Sequence, residues 1–349
     1  MGIVAYYVGR AYVGFKSGVL VLPSRTAAVV FCLTLLLLPL GLENDYYLGV
    51  LTLASIFAIY AASWDLLSGF TGQINLGHAL FFGVAVYASA LLNINLDLHP
   101  ALTIPLGALA AAVAGLVVGA ACLRLRGTYL AFATLAFSLI VAGIIQAIPG
   151  AGGTLGVTGV KSVEHLSESP MVRYYVALVL MIVLGYIMWK ITDSKTGIIF
   201  HAIREDEVTA RASGINTTRY KLLAFCLSGL FAGIAGGLYT HHVLVAGPSA
   251  FALIISFYAI IYAVLGGIAT IYGPIAGVFV LYPLMDYLQR SAPEYRMLAV
   301  ALLIVLVMLF MPEGLITWVR DKIEKVCPRC KLRNIATRRK CRVCTADLD

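Results

Sequence analysis

The chain has 349 residues, of which 61% are hydrophobic and only 12% charged, with a mean hydropathy of +0.93. A soluble domain carries roughly 25% charged residues, so composition all but excludes a water-soluble enzyme, and disordered, collagenous and disulfide-scaffold chains go with it. A polytopic membrane protein remains, and the net charge of +8 bears on topology and anionic lipid before nucleic acid.

A bilayer core takes ~20 apolar residues per helix, and only helices or closed barrels satisfy their backbone in lipid. The apolar runs are continuous rather than alternating, which predicts helices. In chain order they are Thr26–Leu42, Tyr47–Leu67, Ile74–Leu92, Ala101–Leu123, Thr128–Ile148, Met171–Ile191, Leu222–His242, Leu253–Ile271, Pro274–Leu288 and Met297–Met311. The third and ninth are Gly-rich or short, so the expectation is an all-α bundle of about 8–10 transmembrane segments.

Charge sets the orientation. With the N-terminus inside, the cytoplasmic pieces hold Arg10, Lys16, Arg25, Arg124, Arg126, Lys190, Lys195, Arg204, Arg211, Arg219, Lys221 and every Lys and Arg from Arg320 to Arg342. Of the 25 Lys and Arg, only Lys161, Arg173, Arg290 and Arg296 fall outside. Cytoplasmic loops carry the positive excess, so both termini are expected in the cytoplasm of a multi-pass protein of the cell membrane. Arg10 and Lys16 interrupt the first apolar stretch and no small-x-small site follows it, so residues 1–25 read as a juxtamembrane arm rather than a cleaved leader. A membrane bundle over 26–320 and a tail over 321–349 complete the expected division.

Cys327, Cys330, Cys341 and Cys344 form C-P-R-C, ten residues, then C-R-V-C. Two such knuckles are a zinc-ribbon signature: four thiolates close a tetrahedral, structural site. The tail has almost no apolar residues of its own, so the metal would supply its folding energy. Disulfides are the alternative, disfavoured because charge places this tail in a reducing compartment. Basic residues around it, Arg329 to Arg342, suit a docking surface or anionic lipid rather than nucleic acid.

Phosphate-cradling and hydrolytic motifs are absent: Asp193-Ser194-Lys195-Thr196-Gly197 lacks the glycines of a P-loop, and no H-E-x-x-H or G-x-S-x-G occurs. The chain is therefore expected to bind no nucleotide and to be no enzyme. Ionisable residues within the runs are Asp65, His78 and Asp286, with His241 and His242 at a helix end. The two aspartates read as interfacial caps, a weak basis for ion coupling. If the chain transports a solute, the energy would come from a partner.

The loop 192–221 carries an amphipathic pattern, Ile199, Ile203, Val208, Ala210 and Ala212, that stops at Gly214, a helix C-cap residue. Gly197, Ala202-Ile203-Arg204-Glu205-Asp206-Glu207, Gly214-Ile215-Asn216 and Lys221-Leu222-Leu223-Ala224-Phe225 closely resemble the cytoplasmic coupling loop of the branched-chain amino-acid ABC transporter permeases. Val208-Thr209-Ala210 stands where the wider importer superfamily has Glu-Ala-Ala. Three further stretches resemble the same family: Ser68 to Ala79, Arg126 to Phe137, and Val264 to Pro274. The likeness runs from Glu43 to Leu315 and leaves out the cysteine tail.

The resemblance implies a permease subunit of an ATP-driven importer working by alternating access. Its partners would be a second permease subunit, two ABC ATPase subunits and an extracytoplasmic solute-binding protein, and its substrate a branched-chain amino acid, with urea or short amides as alternatives. Ile203, Arg204, Glu205, Asp206, Glu207, Ala210 and Gly214 would then couple to the ATPase, as one helix from Ile203 to Gly214. Two glycine clusters, Gly69, Gly72, Gly77 and Gly83, then Gly266, Gly267, Gly273 and Gly277, mark interrupted helices, a pointer to a midplane site that also suits close helix packing. Near them Gln73, Asn75, His78, Thr128, Tyr129 and Thr134 form the candidate substrate pathway. The Gly-rich stretch Gly150 to Gly156 is a candidate contact for the binding protein, or a plain surface turn. An ion-coupled carrier, in which Asp65 or Asp286 is essential, and a membrane-anchored scaffold working through its tail are the rival readings.

Overall fold

A computed structural model of the protein describes residues 23–41, 44–122, 124–125, 127–148, 150, 152–161, 169–311, 314–315, 318, 322, 324–327, 333–335, 344 and 347. The chain divides into two compact units, Asn44–Gly314 on the one hand and Met1–Glu43 with Leu315–Asp349 on the other. Each expected apolar run falls on a helix. They are α1 (Pro23–Leu37), α2 (Asp45–Trp64), α3 (Ala79–Leu96), α4 (Pro100–Cys122), α5 (Thr128–Ala147) and α6 (Pro170–Thr192). After the loop helices α7 (Lys195–Glu205) and α8 (Glu207–Ala212) come α9 (Thr217–Val243), α10 (Leu253–Gly266), α11 (Tyr272–Ser291) and α12 (Arg296–Phe310).

Among the described residues six helices are long and apolar enough to cross a membrane: Asp45–Gly69, Ala79–Leu96, Pro100–Cys122, Thr128–Ala147, Pro170–Thr192 and Thr217–Val243. Helix α10, with 14 residues, is only about 21 Å long, less than the ~30 Å hydrocarbon core. The run expected from Ile74 becomes helical only at Ala79; the preceding residues are irregular, for reasons given below.

Capping explains where several helices begin. Asn44, Ser194 and Asn216 each accept a backbone N–H of the first turn that follows, from Tyr46 at 2.9 Å, Thr196 at 3.2 Å and Arg219 at 3.1 Å. These side chains satisfy donors that a helix start leaves without an intrahelical partner.

Helix α2 is the best enclosed, with Ala54, Ala58, Tyr60, Ala61 and Ala62 fully buried. Around it α3, α4 and α9 interlock through small residues. A Cβ on Gly229 would lie 2.6 Å from the Ala111 carbonyl oxygen, one on Gly233 2.7 Å from Ala108 Cα, and one on Gly236 2.5 Å from the Phe82 carbonyl oxygen. In lipid, where helices gain nothing from leaving water, such backbone approach is what holds them. The opposite packing style surrounds Phe57, whose ring stacks on Phe82 and Tyr282 and meets Tyr60, Tyr239 and Tyr262 edge-on.

Two short ladders interrupt the helical fold. Strands β1 (Val157–Thr158) and β2 (Val245–Ala246) pair antiparallel beyond the end of α9. Beside them Asn93 accepts the Lys161 N–H at 2.7 Å and donates to the Leu98 carbonyl at 2.8 Å. His241 bridges the Lys161 carbonyl and the Thr103 hydroxyl at 2.9 and 2.7 Å. The segment 152–161, which includes most of the Gly-rich stretch, is thus clasped to the ends of α3, α4 and α9. In the second unit β3 (Glu324–Val326) pairs with β4 (Arg333–Ile335), with Lys325 opposite Asn334. The sulfurs of Cys327 and Cys344 lie 3.5 Å apart, whereas Cys330 and Cys341 fall outside the described residues.

Candidate functional site: two facing helix breaks and the loop beneath them

The first break follows α2. Its last turn widens into a π-helical Asp65–Gly69, and the chain reverses at Gly72, whose φ of +70° is one that side chains rarely adopt. From there a polar lattice replaces helical hydrogen bonding. Ser68 Oγ donates to the Gln73 carbonyl at 3.0 Å and accepts Asn75 N–H at 3.2 Å, and Trp64 Nε1 donates to the Asn75 carbonyl at 2.7 Å. Asn75 Oδ1 accepts Gly77 N–H at 2.9 Å, an Asx turn that holds the chain out of helix until His78.

His78 is fully buried and bound on both ring nitrogens, by Asn75 Nδ2 at 3.3 Å on Nδ1 and by Ser63 Oγ at 2.9 Å on Nε2. Ser63 also donates to the Tyr60 carbonyl at 2.7 Å. A neutral imidazole protonated on Nε2 uses every donor and acceptor once: Asn75 donates to Nδ1 and Nε2–H donates to Ser63. Ser228 Oγ donates to the Ser63 carbonyl at 2.8 Å, and Ser256 Oγ accepts the Ala79 N–H at 2.8 Å, so α9 and α10 both enter the lattice. Thr134 joins from α5, accepting Leu76 N–H at 3.2 Å while donating to its own Ala131 carbonyl at 2.8 Å. Gly77 lies so close to the Thr134 carbonyl that no Cβ fits between them.

The structure therefore gathers Asn75, His78 and Thr134 into one buried lattice, with Gln73 half-buried at its edge. Thr128 and Tyr129 lie apart from it: both are exposed at the start of α5, Tyr129 at 76%. Sequence reasoning missed Ser63, Ser228 and Ser256. The available signal was three hydroxyls set in otherwise apolar spans, where such groups bond across helices.

The second break lies between α10 and α11, where Gly267 has φ +119° and Ala269 φ +60°. Asp65, fully buried, joins the two breaks: its carboxylate oxygens accept Ala269 N–H at 2.8 Å and Thr270 N–H at 3.0 Å. The two glycine clusters separated in sequence are neighbours in space, since a Cβ on Gly69 would approach Ala269 N to 2.9 Å. Asp65 is thus a cap, as its sequence position suggested, but an interior one. Asp286 lies at the far end of α11, accepting the Tyr46 hydroxyl at 2.6 Å and pairing with Arg290 at 2.8 Å.

The loop beneath differs from one continuous helix over Ile203 to Gly214. It breaks at Asp206, which is extended and whose carboxylate caps α8 by accepting Val208 and Thr209 N–H at 2.8 and 3.2 Å and the Thr209 hydroxyl at 2.6 Å. Those bonds, the Thr209 hydroxyl first, hold the Asp206 pKa below its ordinary value. Gly214, φ +84°, ends α8 in a Schellman turn, with Ile215 N–H on the Ala210 carbonyl and Gly214 N–H on Arg211.

One side of the loop is anchored. Phe200, Ile203 and Ala210 are buried, Glu207 pairs with the buried Lys221 at 2.7 Å, and Arg204 donates to the Gly69 carbonyl at 2.8 Å. His201 rests on Phe70, ring centroids 5.1 Å apart, and burial with the nearby Arg204 pushes its pKa down. The other side presents Ile198 and Val208, 69% and 63% exposed, with Glu205 and Thr209.

Broken helices facing one another inside a polytopic bundle, above a loop with one anchored and one open face, define a membrane permease domain. The chain belongs to the branched-chain amino acid transport system/permease component family, whose model matches residues 46–308. It is 30% identical over 304 residues to the high-affinity branched-chain amino acid transport system permease protein LivM of Salmonella typhimurium, covering 79% of this chain and 71% of that one. LivM of Escherichia coli is 30% identical over 318 residues, 83% and 72% of the two chains. The probable branched-chain amino acid transport permease protein LivH of Methanocaldococcus jannaschii is 27% identical over 261 residues, 71% and 81%. No solved structure gives a match.

Proposed function

We propose that this chain is the membrane permease subunit of an ATP-driven importer of branched-chain amino acids. The observation that carries the reading is the two-faced loop 195–214. Its inner face is fastened by Ile203, Arg204, Ala210 and the Glu207–Lys221 pair, while Ile198, Glu205, Val208 and Thr209 stay open on the outer one. A loop built only to connect α6 and α9 has no need of a capped, kinked double helix with apolar side chains in water. Two ATPase subunits dock on that face, and Gly214 fixes its end. A second permease subunit completes the pathway, and an extracytoplasmic binding protein delivers substrate. Both termini are cytoplasmic.

Substrate crosses between the facing breaks by alternating access. Asn75, His78 and Thr134 fix the shape of that region, Gln73 at its edge is the polar group placed to meet solute, and Thr128 and Tyr129 stand exposed at the start of α5. The chemistry needed is small: a few polar groups to orient an amphiphilic amino acid within an apolar bundle. Hydrolysis of ATP takes place on the partner subunits, and this chain is not an enzyme.

The cysteine tail suits a structural zinc ion held by Cys327, Cys330, Cys341 and Cys344. Two thiolates sharing a tetrahedral zinc at ~2.3 Å would sit about 3.8 Å apart, and the 3.5 Å between Cys327 and Cys344 sulfurs is compatible with that. The metal would supply folding energy and no transport chemistry. Metal analysis of the purified chain should return one zinc per chain, lost in Cys327→Ser/Cys341→Ser.

The test of the main reading is co-purification from native membranes in mild detergent, with Val208→Arg as the control. An ATPase subunit retained by the wild type and lost by V208R supports the assignment. A chain that purifies alone and takes up solute without ATP overturns it.

A further inference from the structure

Three contacts tie α7 to the first helix break. The Arg204 guanidinium donates to the Gly69 carbonyl at 2.8 Å, its stem lies over Gly72 where a Cβ would come within 3.3 Å, and the His201 ring lies against Phe70. All three partners belong to residues 69–72, which begin with the last residue of the π-helical turn. That turn opens with Asp65, whose two carboxylate oxygens hold consecutive backbone N–H groups of the second break. Residues some 200 positions apart in sequence are therefore joined to the loop through a single carboxylate.

We infer that Asp65 is a positioning residue that latches the two helix breaks together, and that Arg204 ties this latch to the loop. Displacement of α7 then acts on both breaks at once. The physical basis is the small number of bonds involved. A π-helical turn is a weak point in a helix, and the second break has positive φ at Gly267 and Ala269, so neither holds its shape by regular backbone pairing. Each is fixed by what it bonds to. Pulling on the Gly69 carbonyl moves the π-turn, and with it the carboxylate that fills the Ala269 and Thr270 donors. A carboxylate suits this task because it offers two equivalent acceptors to adjacent N–H groups, and such charge-assisted bonds exceed neutral ones in strength. An amide at the same position can accept with only one of its two terminal atoms.

The inference rests on the importer reading for its purpose, but the latch itself is a property of this chain. The experiment is amide hydrogen exchange on the purified full-length chain in detergent, comparing wild type with Arg204→Gln, Asp65→Asn and Lys195→Gln. Arg204 and Lys195 are exposed on α7, so neither substitution threatens folding. Arg204→Gln should speed exchange at Ala269 and Thr270 by roughly tenfold, the scale of one charge-assisted hydrogen bond, and Lys195→Gln should leave it unchanged. Asp65→Asn, which keeps only one acceptor, should expose one of the same two amides directly. Unchanged exchange at 269 and 270 in Arg204→Gln overturns the latch, as does an equal rise in Lys195→Gln.

A second readout, substrate moved per ATP hydrolysed in the reconstituted assembly, separates positioning from mere stability. The latch predicts a lower ratio for Arg204→Gln. A purely structural contact would lower transport and hydrolysis in step. A wild-type chain that assembles with no ATPase would remove the importer reading and leave the exchange result standing.

Discussion

The Lys221 ammonium, almost fully buried at the start of α9, lies 2.7 Å from the Glu207 carboxylate at the start of α8. Glu207 accepts at the same time from Thr217 Oγ1 and from Arg211 one turn on. A buried ion pair is weak evidence of net stability, but removing one partner leaves an uncompensated charge. Glu207→Gln, which strands the buried Lys221 ammonium, should therefore lower stability by about 3 kcal/mol, visible as a reduced midpoint in thermal unfolding in detergent. The double variant Lys221→Met/Glu207→Gln should recover most of the loss.

Glycine positions separate into two kinds. At Gly77 no Cβ clears the Thr134 carbonyl, so Gly77→Ala should leave little folded protein on size-exclusion chromatography. At Gly143, on the exposed side of α5, a Cβ would meet nothing within 4 Å. Gly143→Ala should be tolerated and stabilise by about 0.5–1 kcal/mol through helix propensity. The contrast separates loss of space from loss of glycine as such.

The polar lattice around His78 predicts which pathway substitutions will be uninformative. Asn75→Leu strips acceptors and donors from Gly77 N–H and His78 Nδ1 together, and each orphaned buried group costs about 1–3 kcal/mol. Thr134→Val orphans only the Leu76 N–H and should cost less. Uptake lost in Asn75→Leu should therefore track lost folded protein, whereas Gln73→Leu should change uptake at normal expression. Fluorescence-detected chromatography beside an uptake assay distinguishes the two.

Acid should loosen the loop before the bundle. Asp206 binds its proton less readily in the folded chain than its ordinary value of 3.8 would indicate, because its charged form accepts three hydrogen bonds. The sign follows from linkage: the stabilisation is complete above the unfolded value and disappears as pH falls through the lower folded one. Protection from hydrogen exchange across Glu207–Ala212, relative to the unfolded chain at the same pH, should fall below about pH 4. Thr209→Val, which removes the shortest of the three contacts, should bring the folded value closer to the unfolded one and so shrink the acid-dependent loss of protection.

Much of this was legible in the sequence because apolar runs are a linear signal. The helical bundle, the amphipathic loop and the two glycine clusters could be read without coordinates, but not that Ile203, Arg204 and Ala210, expected on the ATPase-coupling side, face the bundle. The start of α3 was misplaced because Ile74 and Leu76 look helical in composition, while the Asn75 side chain captures Gly77 N–H and prevents helix. The kink at Asp206 was hidden in a run of charges that resembles a helix face. Its signal was an aspartate preceding Val208 and Thr209, a cap pattern within a helical one. The Asp65 bridge to Ala269 and Thr270 was out of reach, because nothing local marks a carboxylate as the partner of a turn some 200 residues away.

Helices α3, α4 and α9 touch where glycine leaves backbone against backbone, at Gly229, Gly233 and Gly236. Such seams have no side-chain slack: sliding either helix by a residue drives a neighbouring side chain into a carbonyl. The three helices must then travel as a single stiff body, about 40 Å tall along α9. The aromatic seams around Phe57 are different in kind, since stacked and edge-on rings can tilt without losing contact, so they yield more readily than the glycine seams. The molecule is in this sense an anvil with a movable jaw, and its division into the two is set by where evolution placed hydrogen atoms in lieu of methyl groups.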